Sequence, residues 1–114
     1  MLNQIVIVGR LVKDPISKEL EDGRKVSNIT LAVQRNFKNP DGAYDTDFID
    51  CTLWRGIAEN TVEYCGKGSV IGVKGRLVTS LYTNEEGATR KNVEVVAEKV
   101  SFIGSSRKDE EAYY

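Results

Sequence analysis

The run Asp47–Trp54 alternates strictly: Ile49, Cys51 and Leu53 fall on one side, and Phe48, Asp50, Thr52 and Trp54 fall on the other. Successive strand side chains point to opposite faces, so this period of two specifies a strand with one face inward and one toward water. Such a strand belongs in an antiparallel sheet that is solvated on one side. Here the polar side also carries two large aromatic rings.

Four further runs read as strands. Asn3–Leu11 is short, apolar and β-branched, and Gly9 inside it marks a bend or a close approach of another backbone. Asp14-Pro15 ends that pattern, and Glu21-Asp22-Gly23 supplies a turn before Lys25–Arg35, where Ile29, Leu31 and Val33 alternate. Asn39-Pro40-Asp41-Gly42 is the strongest turn signal, set in a polar loop expected over Asn36–Asp45. A long strand follows over Ser69–Tyr82, interrupted by Gly72 and Gly75, and a hairpin tip at Asn84-Glu85-Glu86-Gly87 leads into the last, Asn92–Ile103.

Between the third and fourth strands, Ile57–Cys65 reads as a short helix. Ala58, Val62 and Cys65 share a stripe, and glycine in Gly66-Lys67-Gly68 is expected to cap its end. Three strands, one helix and two strands, with glycines where a small barrel must coil, is the order of an all-β oligonucleotide-binding fold (OB-fold), a five-stranded Greek-key barrel. One such domain over residues 1–104 suits a chain of 114 residues. Residues 105–114 read as a short, polar, disordered tail.

Composition removes several function classes. No histidine is present, and the two cysteines, Cys51 and Cys65, form no CxxC pair, so they read as small buried hydrophobes with no metal or cofactor site between them. No phosphate loop and no framed nucleophile point to an enzyme. No apolar run approaches the ~20 residues of a membrane span, and no export signal opens the chain, which makes the cytoplasm the expected compartment. Net charge is −1. The last ten residues hold two cations and three acids, leaving fourteen of each sign in the first 104. Any phosphate-binding surface must therefore come from segregation of charge.

Segregation is visible in two strands. In the fourth, Val73, Leu77 and Leu81 share one face, and Lys74, Arg76, Ser80 and Tyr82 share the other. Phe37 sits in the loop after strand two, beside Arg35 and Lys38. A flat ring stacks on any base for ~1–3 kcal/mol and a nearby cation meets the phosphates, so rings interleaved with cations suit a single-stranded nucleic acid. A ring on a strand also serves a core or a subunit interface. The pattern alone does not separate DNA from RNA or from a protein partner.

The same residues resemble a known family. Ile5–Leu11 with Lys13-Asp14-Pro15, Asn28–Val33, Asp47–Cys51 with Trp54, Ala58-Glu59-Asn60, Tyr64 with Lys67–Ser69, Gly75–Leu77, Tyr82 and Glu94–Val96 are similar, in order and spacing, to bacterial single-stranded DNA-binding proteins. The resemblance covers about residues 3–103. It implies an OB-fold, a homotetramer, and single-stranded DNA wrapped outside it for replication, recombination, repair or DNA uptake. Phe37, Phe48, Trp54 and Tyr82 would then face DNA, with Tyr64 a weaker member and Lys67 a basic residue near the path. The strand-face reading adds Arg35, Lys38, Lys74 and Arg76.

Departures from the family pattern carry their own expectations. Lys18-Glu19 and Val78–Leu81 stand where relatives often carry more cations, so the salt dependence of binding should be shallower, with Arg90 and Lys91 compensating in part. Relatives recruit replication and repair proteins through a long tail with an acidic tip closing in Pro-Phe. Asp109-Glu110-Glu111 and Tyr113-Tyr114 imitate that tip without the proline. A short paralogue for DNA uptake, or one from a mobile element, fits this truncation. A competing reading makes the barrel an assembly module that captures a protein and binds DNA weakly.

Overall fold

The computed structural model describes residues 1–104. The tail, expected to be disordered and to offer a weak partner motif, lies outside the described residues. Elements run β1 (Ile5–Leu11), β2 (Lys18–Glu19), β3 (Lys25–Lys38), β4 (Tyr44–Trp54), α1 (Arg55–Tyr64), β5 (Val70–Thr83) and β6 (Thr89–Gly104). The sheet order is β1-β5-β6-β4-β3-β2, and β1 also pairs with β3. Five long strands thus close on themselves as an OB-fold barrel. Every neighbour in the ring is antiparallel except β4 and β6, which run parallel through Cys51↔Val95 and Thr52↔Val96. The two-residue β2 beside β3 is an addition to the expected five.

Inward positions of all five long strands meet in one core. Ile7, Leu11, Ile29, Leu31, Cys51, Leu53, Ile71, Val73, Val95 and Ala97 are buried there, and Ala58 of α1 and Cys65 just after it belong to the same cluster. Both cysteines are buried, and no disulfide joins them. Burial pushes the Cys51 thiol up to about 11, with the Asp50 carboxylate adding to the shift.

Two glycines let the ring close. A side chain at Gly9 would lie 2.8 Å from the Ala32 carbonyl oxygen, where β1 crosses β3. One at Gly75 would collide with the Val96 carbonyl. Gly75 sits beside an irregularity in which β6 gains one residue over β5, between the pairs Lys74↔Lys99 and Gly75↔Ala97. Such bulges sharpen the bend of a strand.

Several boundaries differ from the sequence expectation. The polar loop over Asn36–Asp45 shrinks to residues 39–43, because β3 and β4 keep pairing as far as Lys38↔Tyr44. Asn39 accepts the Gly42 N–H on its carbonyl and donates its own N–H to the Ala43 carbonyl, while its side-chain oxygen takes the N–H groups of Asp41 and Ala43. Asn84 makes the same four bonds with Glu86, Gly87 and Ala88. Gly42 and Gly87 both stand at positive φ, as a three-residue hairpin loop demands.

The helix starts two residues early and ends one early. Thr61, not Val62, shares the buried stripe with Ala58, because packing on the barrel sets the helix rotation. Gly66 does not cap it. Cys65 ends the helix in extended conformation, donating its N–H to Thr61, and the positive φ falls on Gly68 in a turn closed by Ser69 N–H on Gly66. Leu77 and Leu81, grouped with Val73 by alternation, are exposed, because past the Leu77↔Val95 pair the β5–β6 hairpin extends from the barrel as an arm, every residue of β5 from Thr79 onward being exposed.

Candidate nucleic-acid interface

The outer side of the barrel is built row by row from the strand register. Asn28, Thr52, Val96 and Arg76 lie side by side across β3, β4, β6 and β5. Residues directly opposite each other share a face, so Arg76 belongs to the same surface as the outward side of β4. Thr52 fixes the junction: its hydroxyl lies 2.5 Å from a Glu94 carboxylate oxygen and 3.3 Å from the Asn28 side-chain oxygen. One row along, Thr30 donates its hydroxyl to Asp50 at 2.7 Å. Between these rows runs a polar cleft of about 260 Å³, with Lys13 and Asn92 at its rim.

Aromatic rings flank that cleft. Phe48 stands beside the small Ala32 and is 67% exposed, so most of it is open to solvent. Trp54, at the other end of β4, is half-buried against Val26. Tyr44 extends the outward row of β4 toward the hairpin tip, with the Lys38 ammonium 5.9 Å from its ring centre. On the arm, Tyr82 pairs with Arg90 and Ser80 with Asn92, on the side that carries Glu94 and Arg76. Phe37 is exposed near the β3–β4 tip, where the register slips between Gln34 and Lys38.

Phe48, Trp54, Lys38, Arg76 and Tyr82 therefore share one continuous outer surface. Other expected residues lie elsewhere. Arg35 donates to Asp47 from Nε at 3.1 Å and from Nη2 at 3.0 Å, and Nη1 lies 3.9 Å from Asp45. By alternation those two acids point away from Phe48, so Arg35 serves the opposite side of the hairpin. The ion pair holds the Asp47 carboxyl below the usual carboxylate range through its hydrogen bond to Arg35. Tyr64, at the far end of α1 from Trp54, packs its ring 6.0 Å from that of Phe102. Lys67 sits in the turn after α1, its N–H bonded to Asp14. Lys74 keeps the outward parity of Arg76 on β5 but lies farther along, between Val6 and Lys99, beside exposed Val8 and Ile103.

Two groups escaped the sequence reading. Tyr44 was hidden by the loop assigned over it, although it continues the even-numbered row of Phe48. Arg24 holds its guanidinium carbon 4.9 Å from the Trp54 ring centre, a contact across thirty positions that no local pattern signals.

A closed five-stranded barrel whose solvated face interleaves rings and cations defines a binding module of the oligonucleotide-binding class. The model described as the single-strand binding protein family matches residues 2–103. The chain belongs to that family. It is 46% identical over 112 residues to single-stranded DNA-binding protein B of Bacillus subtilis, covering 98% of this chain and 99% of that protein. It is 47% identical over 103 residues to single-stranded DNA-binding protein A of the same organism and 48% identical over 103 to the single-stranded DNA-binding protein of Halalkalibacterium halodurans. Those two matches cover 90% of this chain but only 60% and 61% of the relatives. No helix among the described residues is long and apolar enough to cross a membrane.

Proposed function

We propose that this chain binds single-stranded DNA without sequence preference and protects it, acting as a binding protein and not as an enzyme. The observation that carries the reading is the single outer surface on which Phe48, Trp54 and Tyr82 alternate with Lys38 and Arg76. Bases stack on the rings and the cations meet the phosphates. Phe37, Lys67 and Lys74 extend the path at its margins, while Arg35 and Tyr64 contribute through the hairpin and the barrel end that they brace. The naming of the relatives supports DNA as the polymer.

The working unit is a homotetramer in the cytoplasm, serving replication, recombination, repair or DNA uptake. Supporting the assembly, the outward side of β1, β5 and β6 exposes Val6, Val8 and Ile103. Between Ile5 and Gly9, β1 pairs with β5 alone, which leaves one edge open to a second copy. Titration with oligo-dT of graded length at low salt tests the reading. Trp54 emission should fall and saturate at a fixed number of nucleotides per four chains. Unchanged emission and anisotropy would sink it.

A further inference from the structure

The turn Leu20–Arg24 ends in a side chain that is held twice. Arg24 lays its guanidinium over the Trp54 ring, and Asp22 accepts from its Nε at 2.7 Å while also taking the Arg24 backbone N–H at 3.0 Å. A guanidinium is planar and weakly hydrated, and it can stack on both of its faces. Here its central carbon lies 4.9 Å from the indole centre. The side chain as a whole remains 45% exposed, so part of it is open to a ligand.

Beyond Arg24 opens a cleft of about 550 Å³ lined by Asp22, Gly23, Arg24, Lys25, Arg55, Gly56 and Glu59. Its charges are sorted. Asp22 is committed to Arg24, and Glu59 lies 3.7 Å from Lys25. Arg55 has no ion pair among the described residues, and it occupies φ +54, a conformation that glycine adopts without strain. An arginine held there against its backbone preference projects the one uncommitted cation of this cleft, directly after Trp54 in the chain.

We propose that a single strand crossing the β4 face leaves the barrel through this cleft, with one base stacked on the outer face of Arg24 and the next phosphate at Arg55. Trp54, Arg24 and the base form three successive layers, and Asp22 is the positioning residue that keeps the middle layer flat. The inference rests on the outer surface being a polynucleotide path. It adds an exit that neither the strand alternation nor the aromatic set indicates.

The test compares wild type with Arg24→Ala and Arg55→Gly in oligo-dT titrations over a range of lengths and salt concentrations. Arg24→Ala should weaken binding of long oligonucleotides about tenfold. Arg55→Gly, which suits the local backbone, should lower the slope of log affinity against log salt by about 0.7, as for one lost phosphate contact on a single strand. Arg55→Lys should restore that slope, and neither loss should appear with oligonucleotides too short to reach past Trp54. If Arg24→Ala misfolds, Arg24→Gln keeps much of the stem and carries the same expectation. Tighter binding by the Arg24 variant, with deeper quenching of Trp54, would make Arg24 a cover over the indole and overturn the proposal. Unchanged binding in both variants, or an effect from only one, would overturn it as well. A wild-type protein that ignores oligo-dT altogether would instead defeat the functional reading beneath it.

Discussion

Thr52 and Glu94 meet at 2.5 Å, and this contact ties the outward side of β4 to the arm formed by β5 and β6. A hydroxyl donating to a carboxylate contributes more than a neutral pair, about 1.5–3 kcal/mol. Thr52→Val keeps the shape and removes the donor. Urea denaturation should show a loss in that range, and affinity for long oligo-dT should fall with it as the arm loosens. Full stability in the variant would mean that the contact holds nothing.

Phe48 and Tyr82 are exposed, so truncating either should leave the core intact while removing a stacking platform. Phe48→Ala and Tyr82→Ala should each cost ~1–3 kcal/mol of oligo-dT affinity with little change in melting temperature. Fluorescence titration and thermal melts on the same samples separate the two effects. A large fall in melting temperature would show that the rings serve the fold instead.

Gly75 faces the Val96 carbonyl so closely that no Cβ fits. Since the obstacle is backbone and not a flexible side chain, Gly75→Ala should cost at least the upper part of the ~1–3 kcal/mol typical of overpacking. Gly23→Ala offers a contrast: space there is open, and only its positive φ resists. Chemical denaturation of both variants should rank Gly75→Ala as the worse.

Thr61 is fully buried in α1, and its hydroxyl has no hydrogen-bond partner among the described residues. A buried polar atom left unsatisfied costs about 1–3 kcal/mol. Thr61→Val removes that atom at nearly constant volume, so the variant should be about 1 kcal/mol more stable in a urea titration. A loss of stability would mean that the hydroxyl is satisfied in solution.

Cys51 supplies a pH dependence. Its folded thiol titrates at about 11, well above the ordinary value of 9.0. Between those limits the unfolded chain has released a proton that the folded chain still holds, so stability falls as pH rises. The contribution is complete below pH 9 and gone above about pH 11. In Cys51→Ala the decline measured across this window should be shallower than in wild type. Equal slopes would remove the thiol from the account.

Much of this was legible locally. Ile49, Cys51 and Leu53 point inward as their alternation says, and the same parity places Phe48 and Arg76 outward. Parity cannot say where a strand leaves the barrel. Leu77 and Leu81 keep the pattern of Val73, yet both are exposed, because cover depends on strands far away in sequence. The residues around the 39–43 turn misled for the converse reason. Asn36, Lys38, Tyr44 and Asp45 lack an apolar side, but paired strands with water on both faces need none. At the site, Arg35 is next to Phe37 in neighbourhood and opposite to Phe48 in orientation, which sequence adjacency conceals. The seat of Arg24 on Trp54 depends on the path of a turn and had no local signal.

Past the Leu77↔Val95 pair the two strands of the arm lean chiefly on each other. Substitutions at positions 78–81 and 89–92 can therefore accumulate with little penalty to folding, while on the proposed path each would alter how the molecule grips its polymer. Selection can retune that grip in one lineage after another and leave the closed body untouched.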